Sequence, residues 1–216
     1  MSEKPRVLLI GPHPDDVFIS CAGYVIKHIN DYVFDILCMT SKEIKPSSDV
    51  RIQEEKTAWS AVTNAVGGVI SLSFFEDGVD TQLFKVQDKL ISYIERMFDS
   101  HSYNYIFTPY MHDTHQDHRT VSEATLSASR YQKNVIFYET PSTLDFYPNL
   151  YVDMCQRHVD YKLSISKEYR SVQIFGDKKN YQHSLNDYIY AKLLSNGAKS
   201  RVCKYAEGFC VHKLVL

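Results

Sequence analysis

Cysteine is scarce and scattered: Cys21, Cys38, Cys155, Cys203 and Cys210 are the only five in 216 residues, and no two form a C-x-x-C pair. An odd, dispersed set argues against a disulfide framework and fits a reducing compartment. Cys155 and His158 have metal-ligand spacing but no second pair to complete a site. Neither sign of charge is in excess. Lys and Arg number 24 against 26 Asp and Glu, a net charge of −2, so electrostatics give no case for nucleic acid or an anionic membrane as partner. No apolar run reaches the roughly 18 residues that a bilayer span needs. The N-terminal "MSEKPRVLLIGPHPDD" is broken early by glycine and proline and lacks the apolar h-region of a signal peptide. A cytoplasmic protein is expected. Repeats and low-complexity linkers are also missing, and residues 1–216 are expected to form one domain.

What is present is an alternation. "RVLLIG" (6–11), "VFDILCMT" (33–40), "VISLSFF" (69–75) and "YNYIFTPY" (103–110) read as short buried strands. Between them, 19–29, 51–66 and 82–98 carry apolar residues at helical spacing, and a further helix is expected near Thr120. The pattern then predicts a strand at 134–139, a helix over 159–175 and a closing strand at 208–216. Strand and helix alternating without hairpin signals predict an α/β fold, a Rossmann-like, doubly wound and mostly parallel sheet with helices on both faces. Ligands in such folds bind beyond the carboxyl ends of the strands.

Two polar clusters sit at those ends. "GPHPDD" (11–16) follows the first strand and "MHDTHQDH" (111–118) follows the fourth. Each alone is compatible with a solvated turn; their shared rim argues for chemistry. Imidazole and carboxylate hold a borderline cation such as Zn²⁺, and a catalytic site uses three protein ligands with one position left for water. One imidazole and one carboxylate from the first cluster and one imidazole from the second complete such a set. The remaining groups can then move protons or orient neighbours, an inventory suited to metal-assisted hydrolysis of a carbonyl compound.

"HPDD" after a hydrophobic strand, with "HQDH" and "RTV" far downstream, resembles the PIG-L/LmbE-like family of zinc-dependent N-deacetylases. Further matches are R-x-x-E at Arg51 to Glu54, "FEDG" (75–78), "YETPSTLDFYPNLYVDM" (138–154) and "YAEGF" (205–209). The resemblance implies one Zn²⁺ per chain held by His13, Asp16 and His118. It implies Asp15 as the general base, His115 as the group serving the carbonyl or leaving amine, and Asp117, the acidic residue of the second motif, as a member of the catalytic set that partners a neighbouring imidazole. Arg51 and Asp77 align with substrate-contacting positions. The implied reaction removes the acetyl group from an N-acetylated amino sugar or sugar conjugate of the N-acetylglucosamine type, with no nucleic-acid partner and a homo-oligomer left open. Val17 stands where the family carries Glu, and Gln116 where it carries Pro.

Two rivals belong to other classes. A metal-dependent phosphoesterase would need a second ligand set at the same rim. A sugar-binding domain decayed from an enzyme is suggested by Val17 alone. Among candidate substrates, a nucleotide sugar would favour a basic patch near the rim, for which Arg51, Lys42 and Lys45 are candidates.

Overall fold

The first strand shows how the chain is layered. In the computed structural model, which describes residues 4–42, 48–175 and 183–215, β1 (Arg6–Gly11) is buried from Val7 onward. Val7 and Leu9 enter one apolar cluster while Leu8 and Ile10 enter another on the opposite face. A strand covered on both sides needs apolar residues at every position, which is why it reads as an unbroken aliphatic run.

Around it lie α1 (Asp16–His28), β2 (Val33–Cys38), α2 (Ser48–Val66), β3 (Ile70–Phe74), α3 (Gln87–Ser100), β4 (Tyr105–Pro109), α4 (Gln116–Ala128) and β5 (Val135–Tyr138). They are followed by β6 (Leu150–Met154), α5 (Gln156–Ile165), β7 (Ile174–Phe175), β8 (His183–Ser184), α6 (Leu185–Ser200) and β9 (Tyr205–Lys213). Seven strands form one sheet in the order β3-β2-β1-β4-β5-β9-β6. The first five pair in parallel, and β9 runs antiparallel to both β5 and β6. One face is packed by α1, α2, α5 and α6, the other by α3 and α4. The expected doubly wound, mostly parallel α/β sheet is the observed one.

From β1 the chain winds outward through β2 to β3, then returns to the far side of β1 with β4 and proceeds to β5. The reversal lies between β1 and β4. Their carboxyl ends diverge there into a crevice, and the two polar clusters follow those two strands.

Three local expectations need correction. The helix over 159–175 ends at Ile165, and two 3₁₀ turns follow, at Ser166–Glu168 and Arg170–Val172. Between them Tyr169 adopts φ −81°, ψ 64° and is fully buried, its hydroxyl donating to Glu55. A tertiary contact overrides the local apolar pattern. The helix over 82–98 opens as a 3₁₀ turn at Leu83–Val86, because the Leu83 N–H donates to Asp117. Strand β6, unassigned from the sequence, is an edge strand whose pairing with β9 is antiparallel.

Candidate metal centre and active site

The turn after β1 is bound tightly to its surroundings. Met39 N–H donates to Gly11 O at 2.8 Å, and Thr40 Oγ1 donates to Pro12 O at 2.9 Å. His13 and Asp16 are therefore carried at fixed positions over the crevice. His115 caps α4, its Nδ1 accepting the Asp117 N–H at 3.2 Å, and His118 lies one turn further on.

Three donor atoms converge. His13 Nδ1 lies 3.2 Å from Asp16 Oδ2 and 3.3 Å from His118 Nε2, and the latter lies 3.4 Å from Asp16 Oδ2. A tetrahedral ion with ligand bonds of about 2.0–2.1 Å has edges of about 3.3–3.4 Å, so this triangle matches one face of such a site. Donor atoms of His13, His115 and His118, and of His13, Asp80 and Asp117, also fall within 4.8 Å of one another. The second of these trios uses the far nitrogen of His13 and a carboxylate already accepting two backbone N–H groups, so it orients the ring.

Each imidazole has carboxylate at its other nitrogen. His13 Nε2 is 3.0 Å from Asp80 Oδ1 and 3.2 Å from Asp117 Oδ2. His118 Nδ1 is 3.0 Å from Asp113 Oδ2. Such partners fix the tautomer and raise the basicity of the nitrogen facing the ion. Burial alone would depress both imidazoles, but the carboxylates outweigh it. His13, beside Asp117, Asp16 and Asp80, is raised well above the ordinary histidine value, and His118, beside Asp16 and Asp113, is raised to about 9. Asp16, despite its burial, is held well below the carboxylate range by His118 and His13. The cluster demands positive charge, which protons or a cation can supply.

Asp15 is not part of the triangle. Burial drives its carboxyl up to about 7, against the pull of the Arg51 guanidinium and reinforced by Asp16 and Glu55. Its Oδ2 lies 3.2 Å from Arg51 Nη2. Asp15, Arg51, Asp80, His115, Pro141 and Ser142 line the same cleft as the donor atoms, with a volume of about 400 Å³. The Nδ1 of His115 accepts a backbone N–H, so its proton sits on Nε2, a hydrogen-bond donor. Burial, with His13 and His118 alongside, lowers the His115 pKa.

One expected site residue stands behind a ligand and another lies elsewhere. Asp117, expected in the catalytic set as the partner of a neighbouring imidazole, is 0 % exposed and lies 3.2 Å from His13 Nε2. It accepts the Thr81 and Leu83 N–H groups at 2.6 and 3.2 Å and stands behind His13, so it positions that ring without meeting substrate. Asp77 is 52 % exposed, paired with Lys89 at 2.9 Å, and does not line the cleft. Asp80 takes the place in the cleft that Asp77 was expected to hold. A β-carbon on Gly78 would lie 1.8 Å from Met39 O, so only glycine lets this loop close over β2 and bring Asp80 forward. Lys42 does not line the cleft either, and Lys45 lies outside the described residues. Cys155 belongs to neither metal-capable grouping found among the described residues.

Sequence reasoning missed Asp80, Asp113 and Glu55. Asp113 accepts from His118, from Thr140 Oγ1 at 2.7 Å, from Thr143 Oγ1 at 3.0 Å and from the His115 N–H at 2.7 Å. Its signal was the D-x-H spacing inside "MHDTHQDH".

A doubly wound sheet with His and Asp donors gathered at its switch point presents a centre able to hold a metal ion. The family comparison is more specific. The sequence profile described as "PIG-L: GlcNAc-PI de-N-acetylase" matches residues 8–129, and the chain belongs to that family of N-deacetylases. Among curated relatives, the uncharacterized deacetylase YaiS of Escherichia coli (strain K12) is 25% identical over 174 residues, covering 79% of this chain and 93% of its own. N,N'-diacetylchitobiose deacetylase from Pyrococcus horikoshii superposes with a TM-score of 0.72 at 20% identity, over 98% of this chain and 85% of that one. GalB, a 4-carboxy-2-hydroxymuconate hydratase from Pseudomonas putida KT2440, superposes equally well, with a TM-score of 0.72 at 16% identity over 98% of each chain. The fold therefore does not choose the reaction; the family profile does.

Proposed function

We propose that the protein is a zinc-dependent hydrolase that removes the acetyl group from an N-acetylated amino sugar or sugar conjugate of the N-acetylglucosamine type. The observation that carries this reading is the triangle of His13 Nδ1, Asp16 Oδ2 and His118 Nε2, with sides of 3.2 to 3.4 Å. Those residues would hold one Zn²⁺ per chain, which when bound supplies Lewis-acid polarisation of the carbonyl and a more acidic water.

The chain's own groups carry the protons. Asp15, with a carboxyl poised near neutrality, takes a proton from the attacking water as its oxygen bonds to the acetamide carbon. The His115 Nε2–H donates to the carbonyl oxygen as it gains charge. The proton on Asp15 passes to the nitrogen as the C–N bond breaks, leaving acetate and a free amine. Arg51, on the cleft wall and donating from Nη2 to Asp15 and to Pro14 O, brings positive charge beside the cleft for a sugar hydroxyl or phosphate. The cleft volume falls within the range of small-molecule sites.

The test is acetate release across N-acetylglucosamine derivatives, before and after chelation. Chelator should abolish release and added Zn²⁺ should restore it. Asp15→Asn should retain zinc and lose about 10²–10⁴ in turnover. Release that survives both treatments would overturn the proposal.

A further inference from the structure

Asp15 has φ 107° although it is not glycine, a conformation that persists only when the surroundings enforce it. The enforcing contact is visible. The Asp15 N–H donates to Glu55 Oε2 at 2.9 Å across 40 residues of sequence. Glu55 is 1 % exposed and is itself held at both oxygens. Trp59 Nε1 donates to Oε1 at 2.8 Å, and Tyr169 Oη donates to Oε2 at 2.6 Å. The rings behind it pack together: Phe18 lies 5.1 Å from Tyr169 in a tilted pair and 5.5 Å from Trp59 edge to face, centroid to centroid. The neighbouring Glu54 grips the same segment, accepting the Ser171 N–H at 3.0 Å. The carboxylate that reaches the catalytic turn is thus Glu55, one residue beyond the R-x-x-E motif.

We infer that Glu55 is a positioning residue for the catalytic turn: its buried carboxylate, clamped by Trp59 and Tyr169, holds the Asp15 backbone N–H and so fixes the left-handed conformation that presents the Asp15 carboxylate to the cleft. This rests on the reading of Asp15 as the base. Three donors converge on Glu55, so an acceptor-only side chain is required. Glutamine has the same shape but turns an N–H₂ toward one of those donors and must break a bond.

Glu55→Gln should therefore bind Zn²⁺ with unchanged stoichiometry and lose roughly 10²-fold in kcat, with KM within about twofold, as expected when a catalytic group is displaced by about an ångström. The decisive measurement is the double variant. In an Asp15→Asn background the second substitution should cost nothing more, because the group it positions is already gone. The same loss in both backgrounds would show that Glu55 serves the fold generally and would overturn the inference. Full activity in Glu55→Gln would also overturn it, while leaving the assignment of Asp15 intact. Full activity in Asp15→Asn would instead remove the base assignment itself. Trp59 is the sole tryptophan, so its emission gives a readout that needs no turnover. Zn²⁺ added to the metal-free protein should shift that emission in the wild type and leave it unmoved in Glu55→Gln; a shift of equal size in both would count against the inference. Should Glu55→Gln fail to fold, Tyr169→Phe removes a single donor, and a kcat equal to wild type would then overturn the proposal.

Discussion

Two buried acidic neighbourhoods flank the first helix, and they handle charge in opposite ways. Behind α1, Glu207 of β9 accepts the Gly23 and Tyr24 N–H groups at 2.7 and 2.6 Å and pairs with Lys162 at 2.6 Å. Lys162 also donates to Ile19 O at 2.6 Å, so the ion pair serves the two partners of a single helical i→i−4 step, Gly23 and Ile19. Both side chains are almost fully buried, at 1% and 3% exposure. The charge is closed within the chain. At the amino end of α1, Asp16, Asp80, Asp113 and Asp117 surround two imidazoles, and burial is answered by pulling protons onto the rings. That second neighbourhood is incomplete in charge and open to the cleft. A buried acidic cluster signals function when its counter-charge is exchangeable, and architecture when a lysine is built in.

The largest expected effect breaks the open side of this comparison. His118→Ala leaves two ligand atoms where three converge, so zinc content should drop below stoichiometric and acetate release should vanish. Elemental analysis and a coupled acetate assay check both. Lys162→Met is the counterpart on the closed side. It strands the Glu207 charge in the core and should cost about 3–5 kcal/mol of stability, read as a lowered urea midpoint. Its zinc content and the turnover of the folded fraction should stay at wild-type levels. If Lys162→Met lost zinc while remaining folded, the two neighbourhoods would be one coupled site and the distinction would fail.

These differences also decide what could be read before the fold was known. The run Val7 to Ile10 and the two polar clusters after β1 and β4 were legible because residue type and strand-end position are local properties that a linear pattern retains; the choice of His13, Asp16 and His118 within those clusters came from the family resemblance. Glu55 was not, since nothing on α2 separates it from Glu54 until Tyr169 and the Asp15 N–H arrive from elsewhere in the chain. Asp80 and Asp77 lie three residues apart in one loop, and only the closure at Gly78 decides which enters the cleft. Glu207, within "YAEGF", carried no hint of its lysine partner 45 residues upstream. Buried acids are assigned by their donors, and donors are brought by topology.

A smaller effect sharpens the open side. Asp113 touches no cleft but accepts from His118 Nδ1, so Asp113→Ala should weaken zinc binding by about 10–100-fold. Competition with a chromophoric chelator measures this directly. An unchanged affinity would mean that Thr140 Oγ1, 3.0 Å from the same nitrogen, is sufficient to hold the ring.

The smallest expected effect concerns tyrosines beside both neighbourhoods. Tyr169 is raised well above the ordinary phenol value by burial, then by Glu55; Tyr138 is raised by burial, then by Asp16. Tyr24, whose N–H faces Glu207, is raised mainly by burial, with Tyr32 next. In each case the folded state keeps its proton after the unfolded chain has lost its own near pH 10. Between the two pKa values the native state binds more protons, so stability is full below about pH 10 and falls as pH rises through the alkaline range. Each such tyrosine can steepen that fall by at most about 1.4 kcal/mol per pH unit. Urea midpoints measured from pH 9 to 11 should decline, and Tyr169→Phe should make the decline shallower even if it lowers the midpoint at pH 8. Zinc loading should not alter the contribution of Tyr24, which stands with the closed ion pair. A zinc-dependent slope surviving in Tyr169→Phe would trace to Tyr138, whose hydroxyl donates to Ile10 O at 2.7 Å just before the turn that carries His13 and Asp16.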